Sequence, residues 1–255
     1  MERQQKDRKI LLKLFVLAAL VRFIFILTLQ NRFYFPDEGE YFRMIDNFLS
    51  GRGLIPGEHI KGFRPPLYPL VSSLFYYLKL NLAGIRIFQV VLSALTVPLI
   101  YLIGKRVFSL KTGLIAAVIS VFYPFFIFYN GFLLTETLFV FLVVLSFWML
   151  VNLGGSWKYP VRAGIILGLA GLCRPTIQAF LPFIVLLMAG FRESFQIKIK
   201  KIFLMLFFVA VTMSPWIARN YVVFNKFIPG TTMGGYVFWE GNNPMSAGGP
   251  CHYFP

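Results

Sequence analysis

Residues 10–42 read ILLKLFVLAALVRFIFILTLQNRFYFPDEGEYF. The first twenty are an apolar run. At about 1.5 Å per helical residue they reach across a hydrocarbon core of ~30 Å. Three carboxylates, Asp37, Glu38 and Glu40, follow almost at once. The chain has only ten acids against 25 Lys plus Arg, and five of the ten (Asp37, Glu38, Glu40, Asp46, Glu58) fall within one short stretch after this run. A chain that is 58% hydrophobic and only 14% charged gathers its carboxylates beside a membrane either because the loop is solvated there or because they act there.

Further apolar runs cover residues 85–104, 110–129, 133–153 and 202–216, with a half-length pair at 161–172 and 175–190 split by Cys173-Arg174-Pro175. Their lengths exclude a soluble domain and predict an all-α, polytopic helical membrane protein. The net charge of +15 does not point to nucleic acid, because the cations gather at span ends. Arg3, Lys6, Arg8 and Lys9 precede the first span, and Lys105, Arg106 and Lys111 or Arg192, Lys198, Lys200 and Lys201 lie between later ones, as in cytoplasmic loops. Cys173 and Cys251 are too far apart in sequence to suggest a disulfide framework, and His59 and His252 are too few for a zinc site.

The first run is too long for a signal-peptide core, and no small-x-small site follows it, so it reads as an uncleaved anchor with its N-terminus inside. Arg22 within it is expensive in lipid and is expected to face a partner or a polar head group. Residues 30–66 form the first outer loop. Within it Tyr41, Phe42, Ile45, Phe48 and Leu49 share one helical face, with Glu38, Arg43, Asp46 and Asn47 expected largely elsewhere: an amphipathic interfacial helix. Pro36 suits its first turn and Ser50-Gly51-Arg52-Gly53 its end. Residues 67–79 are apolar but too short to span. Placing the basic clusters inside requires that they make no net crossing, which gives seven crossings and leaves Asp37, Glu136, Arg174, Arg219 and Glu240 on or near the outer side. Gly248 to Pro255 form neither a helix nor a polar tail and read as a chain interrupted in a loop, so residues 1–255 are expected to be one domain, incomplete at its C-terminus.

A carboxylate on an outer interfacial helix can serve as general base toward a hydroxyl. Adjacent Asp37 and Glu38 point about 100° apart on a helix, so one can address the hydroxyl while the other orients a cation or water. Glu136 opens a span, where a functional carboxylate and one stabilised by the helix dipole look alike. Arg64, Arg174 and Arg219 each abut Pro or a helix break. Any one of them alone is best read as snorkelling to head groups, but three on one side favour a lipid phosphate. The acids could bind a divalent cation but lack a clean ligand spacing, so no cofactor is assigned.

Pro36-Asp37-Glu38, Arg64-Pro65-Pro66-Leu67-Tyr68-Pro69, Leu134-Thr135-Glu136-Thr137, Cys173-Arg174-Pro175-Thr176, Pro215-Trp216-Ile217-Ala218-Arg219-Asn220-Tyr221 and Gly234-Gly235-Tyr236, in this order, resemble membrane glycosyltransferases of the GT-C fold. The likeness is to bacterial relatives of protein O-mannosyltransferase and of the lipid A aminoarabinose transferase, glycosyltransferase family 39. The resemblance implies transfer from a polyprenyl-phosphate sugar to a protein, lipid or polysaccharide hydroxyl at the outer face of the cell membrane. It implies Asp37 as the catalytic base of an inverting displacement, with Glu38 beside it, and Arg64 on the donor phosphate. Arg174 and Arg219 are further phosphate candidates, with Glu136, Lys61, Tyr68 and Glu240 in support. The competing readings are a lipid or sugar flippase, which predicts inverted repeats that the sequence does not display, and an inactive truncated homologue.

Overall fold

The computed structural model describes residues 2–57, 62, 64–244 and 246. Lys61 and the 248–255 tail lie outside them. The elements are α1 (Glu2–Leu27), α2 (Pro36–Leu49), α3 (Leu67–Tyr77), α4 (Asn81–Val107), α5 (Leu110–Phe122), α6 (Pro124–Phe128), α7 (Glu136–Leu150), α8 (Lys158–Cys173), α9 (Thr176–Ala189), α10 (Phe195–Phe224) and α11 (Gly234–Asn242), with 3-10 turns at Tyr129–Gly131 and Leu153–Gly155 and no strand element among the described residues. The all-α expectation holds.

Local chemistry explains the boundaries. Phe35 is extended before α2, Pro36 opens the helix with its φ already helical, and the Glu38 carboxylate reaches back to the Phe35 N–H at 3.0 Å. Ser109 caps α5 by accepting from the Thr112 N–H at 3.1 Å. The run 110–129 is not one straight helix: it bends by 52° between Phe122 and Pro124. Proline has no N–H to return to the carbonyl four residues back, here Ser120. That carbonyl and its neighbour are taken by Arg22, whose Nη2 donates to Ser120 O and Nη1 to Val121 O, each at 3.1 Å.

Arg22 is therefore neither lipid-facing nor paired with an acid. It is completely buried, and its Nε donates to Ser93 Oγ on α4 at 2.7 Å. A guanidinium carries enough donors to satisfy a broken helix turn inside a membrane protein, where no water competes.

α8 and α10 run parallel in close contact. A Cβ on Gly164 would meet Met205 O at 2.4 Å, and one on Gly168 would meet Thr212 Cβ at 2.6 Å. Small residues at this spacing let two apolar helices bring their backbones together without a hydrophobic driving force.

The two ends of the bundle differ in charge. At one end Asp7 of α1 pairs with Lys105 of α4 (2.6 Å), and Lys201 of α10 donates to Leu153 O (2.9 Å) and Glu193 (2.5 Å). The basic segments 105–111, 158–162 and 192–201 all belong to helix ends on this side. At the other end lie α2, α3, the 129–135 connection, the α8–α9 break and the loop after α10.

Among the described residues three helices are long and apolar enough to cross a membrane, Asp7–Leu27, Asn81–Val107 and Phe195–Phe224, or four if the bent Leu110–Gly131 pair counts as one. The expected seven is not reached on length alone. Residues 132–135 turn before α7 starts, leaving it 15 residues, and the Arg174-Pro175 break holds α8 and α9 to 16 and 14. At 11 residues α3 is about 16 Å long, roughly half a membrane core.

Candidate functional site

The helix termini at the weakly basic end enclose a polar cavity of about 220 Å³. Asp37 and Tyr41 from α2, Arg64, Thr135-Glu136 at the start of α7 and Cys173-Arg174 at the α8–α9 break line it, with Thr231, Met233 and Val237 closing it. Four sequence candidates far apart in the chain, Asp37, Arg64, Glu136 and Arg174, thus meet on one surface.

Two ion-pair groups dominate. The Arg64 guanidinium donates to Asp37 Oδ1 (2.9 Å) and, from Nη2 and Nε, to Glu40 Oε2 (2.8 and 3.0 Å). It lies over the Tyr41 ring at 5.5 Å. Burial works against this cation, but Tyr41, Glu40 and Asp37 around it more than offset that and hold its pKa above the ordinary arginine value. Burial also pushes the Tyr41 phenol up to about 12, so it stays neutral under the cation. Asp37 keeps 51% of its side-chain surface open, against 23% for Arg64. Opposite, Arg174 Nη1 donates to Glu136 Oε1 at 2.6 Å and to Thr135 Oγ1 at 3.4 Å. The second Glu136 oxygen is buried without a hydrogen-bond partner, so this carboxylate is held from one side only.

Glu38 behaves differently from its neighbour and from the expected polar face. Residues 38, 41 and 45 share a helical face (i, i+3, i+7), and that face packs inward. Glu38 is fully buried. Its Oε1 accepts from the Tyr34 and Phe35 N–H groups (2.6 and 3.0 Å) and its Oε2 from the Leu133 N–H (2.8 Å). It does not line the cavity. It ties the first loop to the segment that delivers Thr135 and Glu136.

The same segment is held from α4 by residues that sequence reading did not single out. Gln89 Nε2 donates to Asn130 O and Phe132 O, each at 2.9 Å, and Arg86 Nε to Gly131 O at 2.8 Å. Tyr68 is buried and donates to Gln89 Oε1 at 2.8 Å, so it supports this scaffold rather than the cavity surface. Glu40 was the other omission. The available signals were helical spacing, which puts residue 40 within one turn of 37, and two polar side chains three apart (86 and 89) in an otherwise apolar run.

The remaining candidates fall elsewhere. Arg219 lines a separate cleft together with Trp216, and Glu240 accepts from Tyr236 Oη at 3.3 Å along α11, off the cavity surface. Among the described residues no group of three or more His, Cys, Asp or Glu gathers.

An apolar groove of about 470 Å³ between α7 and α9 adjoins the cavity. Phe139, under Arg174 at 5.9 Å, and Ile177, next to the cavity residue Thr176, form its near end, and Phe180, Phe183 and Leu187 continue it. Two cation–carboxylate groups lining one polar pocket, with an open apolar groove beside it, are suited to a ligand with an anionic head and a hydrocarbon tail.

A search of curated protein sequences finds no match to this chain. A family comparison does. The match extends over residues 63–218, from just before Arg64, through the Glu136 and Arg174 segments, to just before Arg219. More than half of the chain is thereby accounted for, including the cavity residues from Arg64 to Thr176 but not Asp37 and Tyr41, and it belongs to the dolichyl-phosphate-mannose-protein mannosyltransferase family.

Proposed function

We propose that this chain moves a mannosyl or related sugar residue from a polyprenyl-phosphate donor to an acceptor hydroxyl, by single inverting displacement, with Asp37 as general base. Family membership supports a membrane glycosyltransferase drawing on a lipid-phosphate sugar. The observation that carries the finer reading is the meeting of Asp37 and Arg64 with Glu136 and Arg174 around one polar cavity, with an apolar groove beginning beside Arg174.

In this reading the polyprenyl tail lies along Phe139, Phe180 and Phe183, and the phosphate sits between Arg64 and Arg174, exchanging some of their present carboxylate contacts for its own oxygens. Arginine suits this exchange because its planar fork binds carboxylate and phosphate with the same geometry. Asp37, half open, takes the proton of the incoming hydroxyl as its oxygen forms the new bond to the anomeric carbon. The bond from that carbon to the phosphate oxygen breaks, and the leaving charge is stabilised in place by the two guanidinium groups. A weakly basic phosphate leaving group needs no general acid. Glu40 holds Arg64 in register, and Glu38 is a structural tie rather than a second catalytic acid.

We also take the basic end of the bundle to be cytoplasmic, following the positive-inside rule, which puts the cavity at the outer face of the cell membrane. Chain direction alternates through α1, α4, the bent α5–α6 pair, α7, α8, α9 and α10, as seven crossings require. A protein hydroxyl is the favoured acceptor on the family's description; a lipid or polysaccharide hydroxyl uses the same chemistry.

The test is a transfer assay on the purified chain with polyprenyl-phosphate mannose and a hydroxyl-bearing peptide acceptor. Product of inverted anomeric configuration is expected. Retention of configuration, or transfer only from a nucleotide sugar, would rule the reading out.

A further inference from the structure

Arg219 does not join the other arginines, and the cleft it lines has its own character. This second cavity measures about 670 Å³, between α10 and the α2–α3 region, and shares no lining residue with the first. Pro65 faces one and Pro66 the other; likewise Cys173 and Leu172, so the double proline and the end of α8 form the partition. Thr212, Pro215, Trp216, Arg219 and Val223 follow helical spacing and place one stripe of α10 along the cleft. Its other walls are largely apolar, and Phe48, Leu70 and Val223 remain exposed at its opening, which gives onto the flank of the bundle.

Arg219 stacks its guanidinium over Trp216 at 4.8 Å and within 5.9 Å of Phe224. Its one hydrogen bond among the described residues goes from Nη1 to Asn220 Oδ1 at 3.0 Å. Among the described residues no carboxylate pairs with it, unlike Arg64 and Arg174. Asn220 is itself committed, with Nδ2 donating to Ile228 O at 2.9 Å, so it cannot turn away. A guanidinium has five N–H donors in a rigid fork. Arg219 lines a cleft whose other walls are largely hydrocarbon, and the second arginine there, Arg52, is already paired with Asp46 at 3.0 Å.

We propose that this cleft is a second lipid site, which takes a lipid with a phosphate head separately from the sugar donor. The phosphate binds the open fork of Arg219, and the acyl chains lie along Leu70, Leu172 and Val223. A free anion would gain nothing from those walls, and an uncharged lipid would leave the guanidinium donors unanswered.

The experiment is a titration of the whole chain, in an uncharged detergent, with dioctanoyl phosphatidic acid, read as bound-lipid stoichiometry by native mass spectrometry. Dioctanoylglycerol and inorganic phosphate serve as the uncharged and tail-less probes. Arg219→Gln should weaken one phosphatidic acid site at least tenfold, and so should Leu70→Trp, which fills the cleft and leaves the cation in place. Arg174→Gln should leave that site intact. Equal binding of dioctanoylglycerol, equal binding of phosphate alone, or wild-type stoichiometry in both Arg219→Gln and Leu70→Trp would overturn the proposal.

Discussion

The buried seam beneath α2 and the cavity above it both contain charged side chains, and they differ in what those charges meet. In the seam the partners are mainly backbone groups: Glu38 on three N–H groups, Arg22 on the carbonyls of a broken helix as well as Ser93 Oγ, Arg86 and Gln89 on the 130–132 carbonyls. In the cavity the partners are other charges, Asp37 and Glu40 with Arg64 and Glu136 with Arg174, all at least partly open. A side chain tied to main chain cannot change partner without unfolding something. An ion pair at a cavity wall can yield one contact to a ligand of the same charge. Asp37 and Glu38 are consecutive residues, yet about 100° of helical rotation puts them on opposite sides of this division.

The contrast can be broken most forcefully at Arg22. Arg22→Met should cost about 3–5 kcal/mol, since it removes the guanidinium that donates to two carbonyls at the α5–α6 bend. A thermal melt in detergent should show a large loss, and a melt unchanged from wild type would mean that the bend satisfies itself. Glu38→Gln comes next, at about 2–3 kcal/mol, because an amide nitrogen would face backbone N–H groups where a carboxylate now accepts. On the cavity side Arg174→Gln should leave the melt close to wild type while lowering kcat/KM for the donor about 100-fold, some 2.7 kcal/mol of transition-state stabilisation.

The smallest effect concerns Tyr41. Its phenol ordinarily titrates near 10.0 and is raised to about 12 here, so the folded chain keeps a proton that the unfolded chain has lost. The stabilisation is complete below pH 10 and disappears as the pH rises from 10 to about 12. Tyr41→Phe should flatten that part of the alkaline melt profile by a modest amount and leave neutral pH unaffected.

Much of this was legible in the sequence. Run lengths gave the helical membrane class, and Pro36 and Ser50-Gly51 bracketed α2 where it forms. Two arginines next to Pro, Arg64 and Arg174, with Glu136 between them in the chain, led to the cavity. Sequence reading failed where an apolar count hides a polar partner. Glu38 shares the spacing of Tyr41 and Ile45, but a carboxylate on that face reads as solvated unless the backbone N–H groups waiting for it are known. The partner expected for Arg22 could not be named, because most of its acceptors are carbonyls, and a carbonyl left free at a helix bend has no letter in a sequence. Arg219 sits in a motif like those of the other arginines, and only the packing of α10 against α8 sends it to a different cleft.

The central claim is that of the two adjacent acids only residue 37 reacts. It is tested most directly by measuring sugar transfer per folded molecule for Asp37→Asn and Glu38→Gln side by side, with folded amounts set by the thermal melt. Asp37→Asn should lose about 10²–10⁴-fold in rate with its melt intact, while the folded fraction of Glu38→Gln should transfer within a few-fold of wild type. Full transfer by folded Asp37→Asn, or its loss in fully folded Glu38→Gln, would contradict the account.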